Sequence, residues 1–140
     1  MISASSPSDA EQLSLATVTL VVPDYDEGIA FYANALGFEL IEDSDLGDGK
    51  RWVVVSPSGG ARLLLAKAAD GKQRAAIGNQ TGGRVSFFLH TCNFTDTHAR
   101  FVAAGVDFLE APRQEPYGTV AVFSDPFGNR WDLIEPKAVQ

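Results

Sequence analysis

Cysteine and long apolar segments are scarce in this 140-residue sequence. The single cysteine, Cys92, excludes an intrachain disulfide and any metal cluster held by several thiolates. No apolar run approaches the ~20 residues that a bilayer span requires, so we expect no membrane partner. Residues 1–14 lack the basic and apolar regions of a signal peptide and are predicted to form a flexible tail. We therefore expect a cytoplasmic protein.

Positive charge is also in short supply, with 11 Lys and Arg against 18 Asp and Glu and a net charge of -7. A field of that sign repels phosphate backbones, so we expect no nucleic-acid partner. Phosphate loops, dinucleotide fingerprints and nucleophile elbows are likewise absent from the sequence. What remains is an ordinary globular composition, 45% hydrophobic, with the length of a single domain.

The chain contains an internal repeat. Residues 17–42 read TVTLVVPDYDEGIAFYANALGFELIE and residues 86–110 read SFFLHTCNFTDTHARFVAAGVDFLE. Each copy predicts a strand, an Asx-capped helix, a glycine stop and a second short strand. The predicted caps are Asp24 and Asn93, and the predicted stops are Gly37 and Gly105.

Two further strands follow each copy, separated by glycine-bearing turns, so both units are predicted as βαβββ. Unit one is expected over residues 15–66, a linker with a helical turn over 67–83, and unit two over 84–136. The expected fold class is α+β. Two tandem βαβββ units would place their mixed sheets in an open, cup-shaped barrel with helices on the outer face. Such a cup suits a small-molecule ligand better than a flat surface does.

The repeat, together with VVPDYDEGIAFYANALGFEL and the ending DPFGNRWDLIEP, resembles the vicinal oxygen chelate superfamily. That superfamily includes glyoxalase I, extradiol dioxygenases, fosfomycin-resistance proteins and bleomycin-binding proteins. The resemblance covers residues 15–136 and implies four metal-ligand positions on the first and last strands of each unit. These positions hold Thr17, Leu64, Ser86 and Asp132, a set that cannot retain zinc, nickel or iron. We therefore expect no metal and no cofactor.

Candidate ligand-binding residues follow from strand alternation and from possible aromatic walls. His90 can donate a hydrogen bond or act as a general base, or it can simply end a strand, whereas His98 belongs to the predicted second helix. Asp132 can bind substrate or pair with Arg130 or Arg62. Trp131, of opposite parity to Asp132, is expected to pack beneath a helix. The predicted ligand-binding set is Thr17, Thr19, Trp52, Arg62, Leu64, Ser86, Phe88, His90, Tyr117, Arg130 and Asp132.

Three functional hypotheses are compatible with these residues. The first is a metal-free small-molecule binding protein, similar in kind to the bleomycin-binding members, in which two subunits share each cleft. That resemblance implies a homodimer, while the sequence leaves open whether the two units close on each other within one chain or across the dimer. The second is a lyase, isomerase or dioxygenase relative that uses His90 and Asp132 as acid–base groups, or that holds a metal in an atypical way. The third is a regulatory or interaction module.

Overall fold

A computed structural model of the protein describes residues 11–138. Unit one comprises β1 (Thr17–Val22), α1 (Tyr25–Ile29), a π-helix (Ala30–Ala35), β2 (Glu39–Gly47), β3 (Lys50–Ser56) and β4 (Arg62–Lys67). The linker contains α2 (Gly71–Ala76). Unit two comprises β5 (Val85–His90), α3 (Phe94–Ala103), β6 (Asp107–Phe108), β7 (Arg113–Glu115), β8 (Gly118–Ser124) and β9 (Arg130–Pro136). Most of the predicted tail, residues 1–10, lies outside the described residues.

The two units have the same sheet topology. Sheet A has the strand order β1-β4-β3-β2, and sheet B has the order β5-β9-β8-β6 with β7 added against β8. In each sheet the first strand runs parallel to the last and the other pairs are antiparallel. The α+β class and the duplicated unit are therefore confirmed, and the two sheets do not close into a barrel.

The helix boundaries follow the capping residues that the sequence predicts. The Asp24 carboxylate accepts from the Asp26 N–H, and the Asn93 side chain accepts from the Asp96 N–H. Gly37 and Gly105 take positive φ values of 80° and 86°, the left-handed conformation that ends a helix. The first helix differs from expectation in its second half, which widens to a π-helix with a Leu36 N–H to Phe31 C=O bond of 2.9 Å.

The second strand of the repeat differs in length between the two units more than the sequence predicts. β2 has 9 residues, whereas β6 has 2. Beyond β6, the Glu110 carboxylate accepts from the Val122 N–H of β8 at 2.9 Å, in place of a backbone carbonyl. The Leu109 N–H still donates to the Val122 C=O at 2.8 Å, so a side chain makes only one bond of this pair, and regular pairing with β8 resumes at β7.

One hydrophobic core joins the two units. The helix-side residues of both sheets and of both long helices form a single buried cluster. At its centre the Tyr32 hydroxyl of unit one donates to Asp125 of unit two at 2.6 Å and accepts from the Trp131 indole N–H at 3.1 Å. Burial and the Asp125 charge raise the pKa of Tyr32 well above its usual range, so this hydroxyl remains a donor. Trp131 thus packs beneath a helix, as expected.

The linker lies along the outer edge of β1. Gln80 accepts from the Val21 N–H at 2.6 Å and donates to the Thr19 carbonyl at 3.1 Å, so its amide substitutes for a neighbouring strand. No helix within residues 11–138 combines the length and apolar character needed to cross a membrane.

Candidate functional site

Each sheet has an open face, defined here as the face opposite the helices. On sheet A, Leu63 and Leu65 belong to the core, so the alternate residues Arg62 and Leu64 lie on the open face. Thr17 and Thr19 of β1 pair with these two residues. Trp52 of β3 shares the face and is 43% exposed. Five predicted ligand-binding residues are therefore neighbours on one sheet.

The open face of sheet B contains most of the remaining predicted residues. Phe88 pairs with Asp132 and His90 pairs with Ile134, so all four share one face with Arg130. Phe88 is 63% exposed. Ser86 is the extra residue at a register shift in β5, and its hydroxyl lies 3.2 Å from that of Thr81 in the linker.

Asp132 is the buried ionisable group of this open face. It is only 9% exposed, and its Oδ1 atom has no hydrogen-bond partner among the described residues. Burial raises the pKa of the Asp132 carboxyl, the charge of Arg113 lowers it, and that of Glu110 raises it again. An unsatisfied buried acceptor costs on the order of 1–3 kcal/mol, so a ligand atom that donates to Oδ1 would recover stability.

The residues that surround Asp132 were not those expected. Within residues 11–138 neither Arg130 nor Arg62 forms an ion pair with it. The nearby cation is Arg113, which donates to Glu110 at 3.1 Å and also to Glu115. Tyr117, 52% exposed, lies near Arg113 and helps to raise the pKa of its guanidinium. The only sequence signal for this cluster was the glutamate that ends GVDFLE.

The open faces do not meet within one chain. Each sheet turns its other face toward the shared core. The buried apolar residues of the open faces, Val54 on sheet A and Val120 and Ile134 on sheet B, lie outside that cluster. The predicted site residues therefore fall into two groups, one on each sheet, that face away from the same core.

A cleft borders the free edge of β5. It measures about 520 Å³ and runs between β5 and the turn that joins β3 to β4. Phe88 and His90 line it together with Gly59 and Gly60 of the turn. These two side chains are thus accessible both from the open face of sheet B and from its edge.

The side chains at the four positions where the resemblance implies metal ligands do not suit a metal ion. Thr17 and Leu64 lie on sheet A, whereas Ser86 and Asp132 lie on sheet B. Asp132 alone offers a carboxylate, and leucine offers no donor atom. Among the described residues no three His, Cys, Asp or Glu side chains come together in a group that could hold a metal ion.

Comparison with known proteins agrees with this architecture. A protein of Shewanella frigidimarina with the name "Uncharacterized protein" is 50% identical over 125 residues, which cover 87% of this chain and 93% of that protein. The crystal structure of UcmS2 matches with a TM-score of 0.77 and 33% identity, over 89% of this chain and 99% of that chain. TnmS3, an antibiotic binding protein from Streptomyces sp. CB03234, matches with a TM-score of 0.71 and 28% identity, over 91% and 98% of the two chains.

The family assignment rests on most of the chain. The sequence model of the Glyoxalase/Bleomycin resistance protein/Dioxygenase superfamily matches residues 14–133. This span contains both βαβββ units up to Leu133 of β9. The chain therefore belongs to the Glyoxalase/Bleomycin resistance protein/Dioxygenase superfamily.

Proposed function

We propose that this protein binds a small organic molecule of antibiotic type between open sheet faces, without a metal and as a homodimer. The observation that carries the proposal is the open face of sheet B. There Phe88 exposes an aromatic ring beside a buried carboxylate, on a surface that has no metal-binding set of side chains among residues 11–138. The likeness to TnmS3, an antibiotic binding protein, supports it.

The homodimer follows from the separation of the two groups of site residues. Each open face offers half of a cavity, and a ligand pocket needs walls on opposite sides. In a symmetric dimer, sheet A of one protomer can face sheet B of its partner twice, which completes two equivalent sites. A small molecule and a second copy of this chain are the proposed partners. The cytoplasmic location stays a prediction from the sequence.

The first experiment is a thermal-shift screen of antibiotics and aromatic natural products. We expect at least one compound to raise the melting temperature and to bind saturably. Phe88→Ala should weaken that compound by about tenfold or more, because burial of a Phe side chain contributes ~1.5–3 kcal/mol. Val102→Ala, an equally exposed apolar truncation on the helix, is the matched control.

Two results would contradict the proposal: no stabilising compound in the panel, or unchanged affinity in Phe88→Ala. Elemental mass spectrometry of untagged protein tests its metal-free part. We expect less than about a tenth of an equivalent of nickel, zinc or iron after soaking, because the donor set is so poor.

Catalysis is the second candidate, since His90 and Asp132 share one open face. A lyase or isomerase mechanism would use them as an acid–base pair. Turnover of a bound compound that is lost in both His90→Asn and Asp132→Asn would favour this enzyme. Saturable binding without turnover favours the binding protein.

A further inference from the structure

The Asp132 carboxylate indicates which class of ligand would bind the open face of sheet B. Its Oδ1 atom is buried and has no partner within the described part of the chain. The neighbouring strands place Phe88 and Val122 beside it. Neither side chain can donate a hydrogen bond, so the carboxylate keeps an acceptor that the folded chain does not satisfy.

The charged side chains near Asp132 determine the net charge beside its Oδ1 atom. Arg113 is already paired with both Glu110 and Glu115, and Tyr117 contributes only a hydroxyl to it. Three carboxylates therefore surround one guanidinium. Arg130 lies two residues along β9, roughly 7 Å away, and is exposed. His90, at the end of β5, pairs with Ile134 rather than with Asp132. The region next to Oδ1 is thus net negative.

An aromatic surface lies within reach of the same atom. Phe88 is the cross-strand neighbour of Asp132, and adjacent strands lie about 4.8 Å apart. A ring stacked on Phe88 therefore places a donor atom that is two or three bonds from the ring beside the carboxylate. The same ligand would bury exposed aromatic area and satisfy an orphaned acceptor, two gains that reinforce each other.

We propose that the open face of sheet B selects aromatic ligands that carry a protonated amine, with the ring on Phe88 and the ammonium donating to Asp132 Oδ1. This inference rests on the proposed function and names its ligand class. Neutral or anionic analogues of the same ring would bind the face more weakly, because a charge-assisted hydrogen bond is about twice as strong as a neutral one.

The test uses three probes with one ring system: tryptamine, tryptophol and indole-3-acetate. Affinities are measured at neutral pH by titration of ¹⁵N-labelled protein, following the amide signals of β5, β8 and β9. We expect tryptamine to bind about tenfold more tightly than tryptophol, and indole-3-acetate to be weakest. In Asp132→Asn the affinities for tryptamine and tryptophol should converge. Asp107→Asn, at an exposed carboxylate, should keep the tenfold preference.

Three results would each overturn the inference. They are equal affinities of the three probes for the wild-type protein, a preference for tryptamine that survives in Asp132→Asn, and no shift of these amides by any probe at millimolar concentration. The proposed function fails separately. The proposed function is supported if compounds from the antibiotic screen need Phe88 to bind, even when they need neither an amine nor Asp132. It is contradicted if no compound in the screen binds.

Discussion

At the scale of single residues, the stability of the fold depends on the protonation state of Asp132. Burial raises the pKa of this carboxyl above its ordinary value. The folded state therefore binds the proton more tightly than the unfolded state does. The stability that this group contributes is complete below its unfolded pKa of about 4 and is lost as the pH rises through the folded value.

Asp132→Asn removes this dependence on pH. We expect the variant to gain free energy of unfolding, relative to wild type, on going from pH 4 to pH 7, by on the order of 1 kcal/mol, because no buried charge is left unpaired. Urea unfolding at the two pH values measures it, with Asp107→Asn as the exposed control. A variant that loses stability at pH 7 would show that the Asp132 charge has a stabilising partner.

Residues that act through local rules could be predicted from the sequence. The caps Asp24 and Asn93 and the alternation of Trp131 and Asp132 are set by neighbours only a few positions away. The influence of Arg113 on Asp132 could not be predicted, because its charge acts on the carboxylate from a separate strand, β7, that carries no alternating pattern. Its role depends on the path of an irregular connection.

At the scale of elements, the linker protects the β1 edge of sheet A. β1 is an edge strand, and unpaired edges invite association with other chains. The Gln80 side chain occupies two of its backbone groups, Val21 N–H and Thr19 C=O. The side-chain amide of Gln80 therefore forms the hydrogen bonds that a neighbouring strand would otherwise form at this edge.

Gln80→Ala should expose this edge. We expect a loss of about 1 kcal/mol in the free energy of unfolding, because two solvent-accessible hydrogen bonds disappear, and faster aggregation at high concentration. Chemical denaturation and light scattering measure the two effects. Asn79→Ala, in the same segment, is the control, since no hydrogen bond of its side chain occurs within the described residues. An effect of equal size in both variants would argue against edge protection.

Element types were easier to predict than their extents. The order of strands and helix along each unit follows from the repeat, yet β6 is short because the Glu110 carboxylate binds the Val122 N–H in place of a backbone carbonyl. The π-helix after Ile29 has no sequence signature that we could use. Neither departure follows from the local sequence rules that predict the other elements.

At the scale of the whole molecule, the open faces test the dimer directly. In the proposed dimer, Leu64→Arg removes the ligand contacts of the open face of sheet A, and Phe88→Ala removes those of the open face of sheet B. Each variant alone should bind the ligand about tenfold or more weakly than wild type. When the two are unfolded and refolded together, random pairing should restore about a quarter of the sites, because half of the dimers are mixed and one of their two sites is intact.

The readout is the stoichiometry of a compound found in the screen, together with the mass in solution. We expect twice the 15.0 kDa of one chain by light scattering. A mixture that binds no better than its components would mean that the two faces do not meet across subunits. A monomeric mass would exclude the arrangement outright.

The bond between Tyr32 and Asp125 has a consequence for the synthesis of the chain. Its partners are separated by 93 residues, so the Tyr32 hydroxyl cannot donate to Asp125 until nearly the whole chain has been made. At 5–20 residues per second this takes roughly 5–20 s, during which the apolar side of the first unit stays uncovered. We therefore expect the nascent chain to bind chaperones that recognise exposed apolar surface on the ribosome.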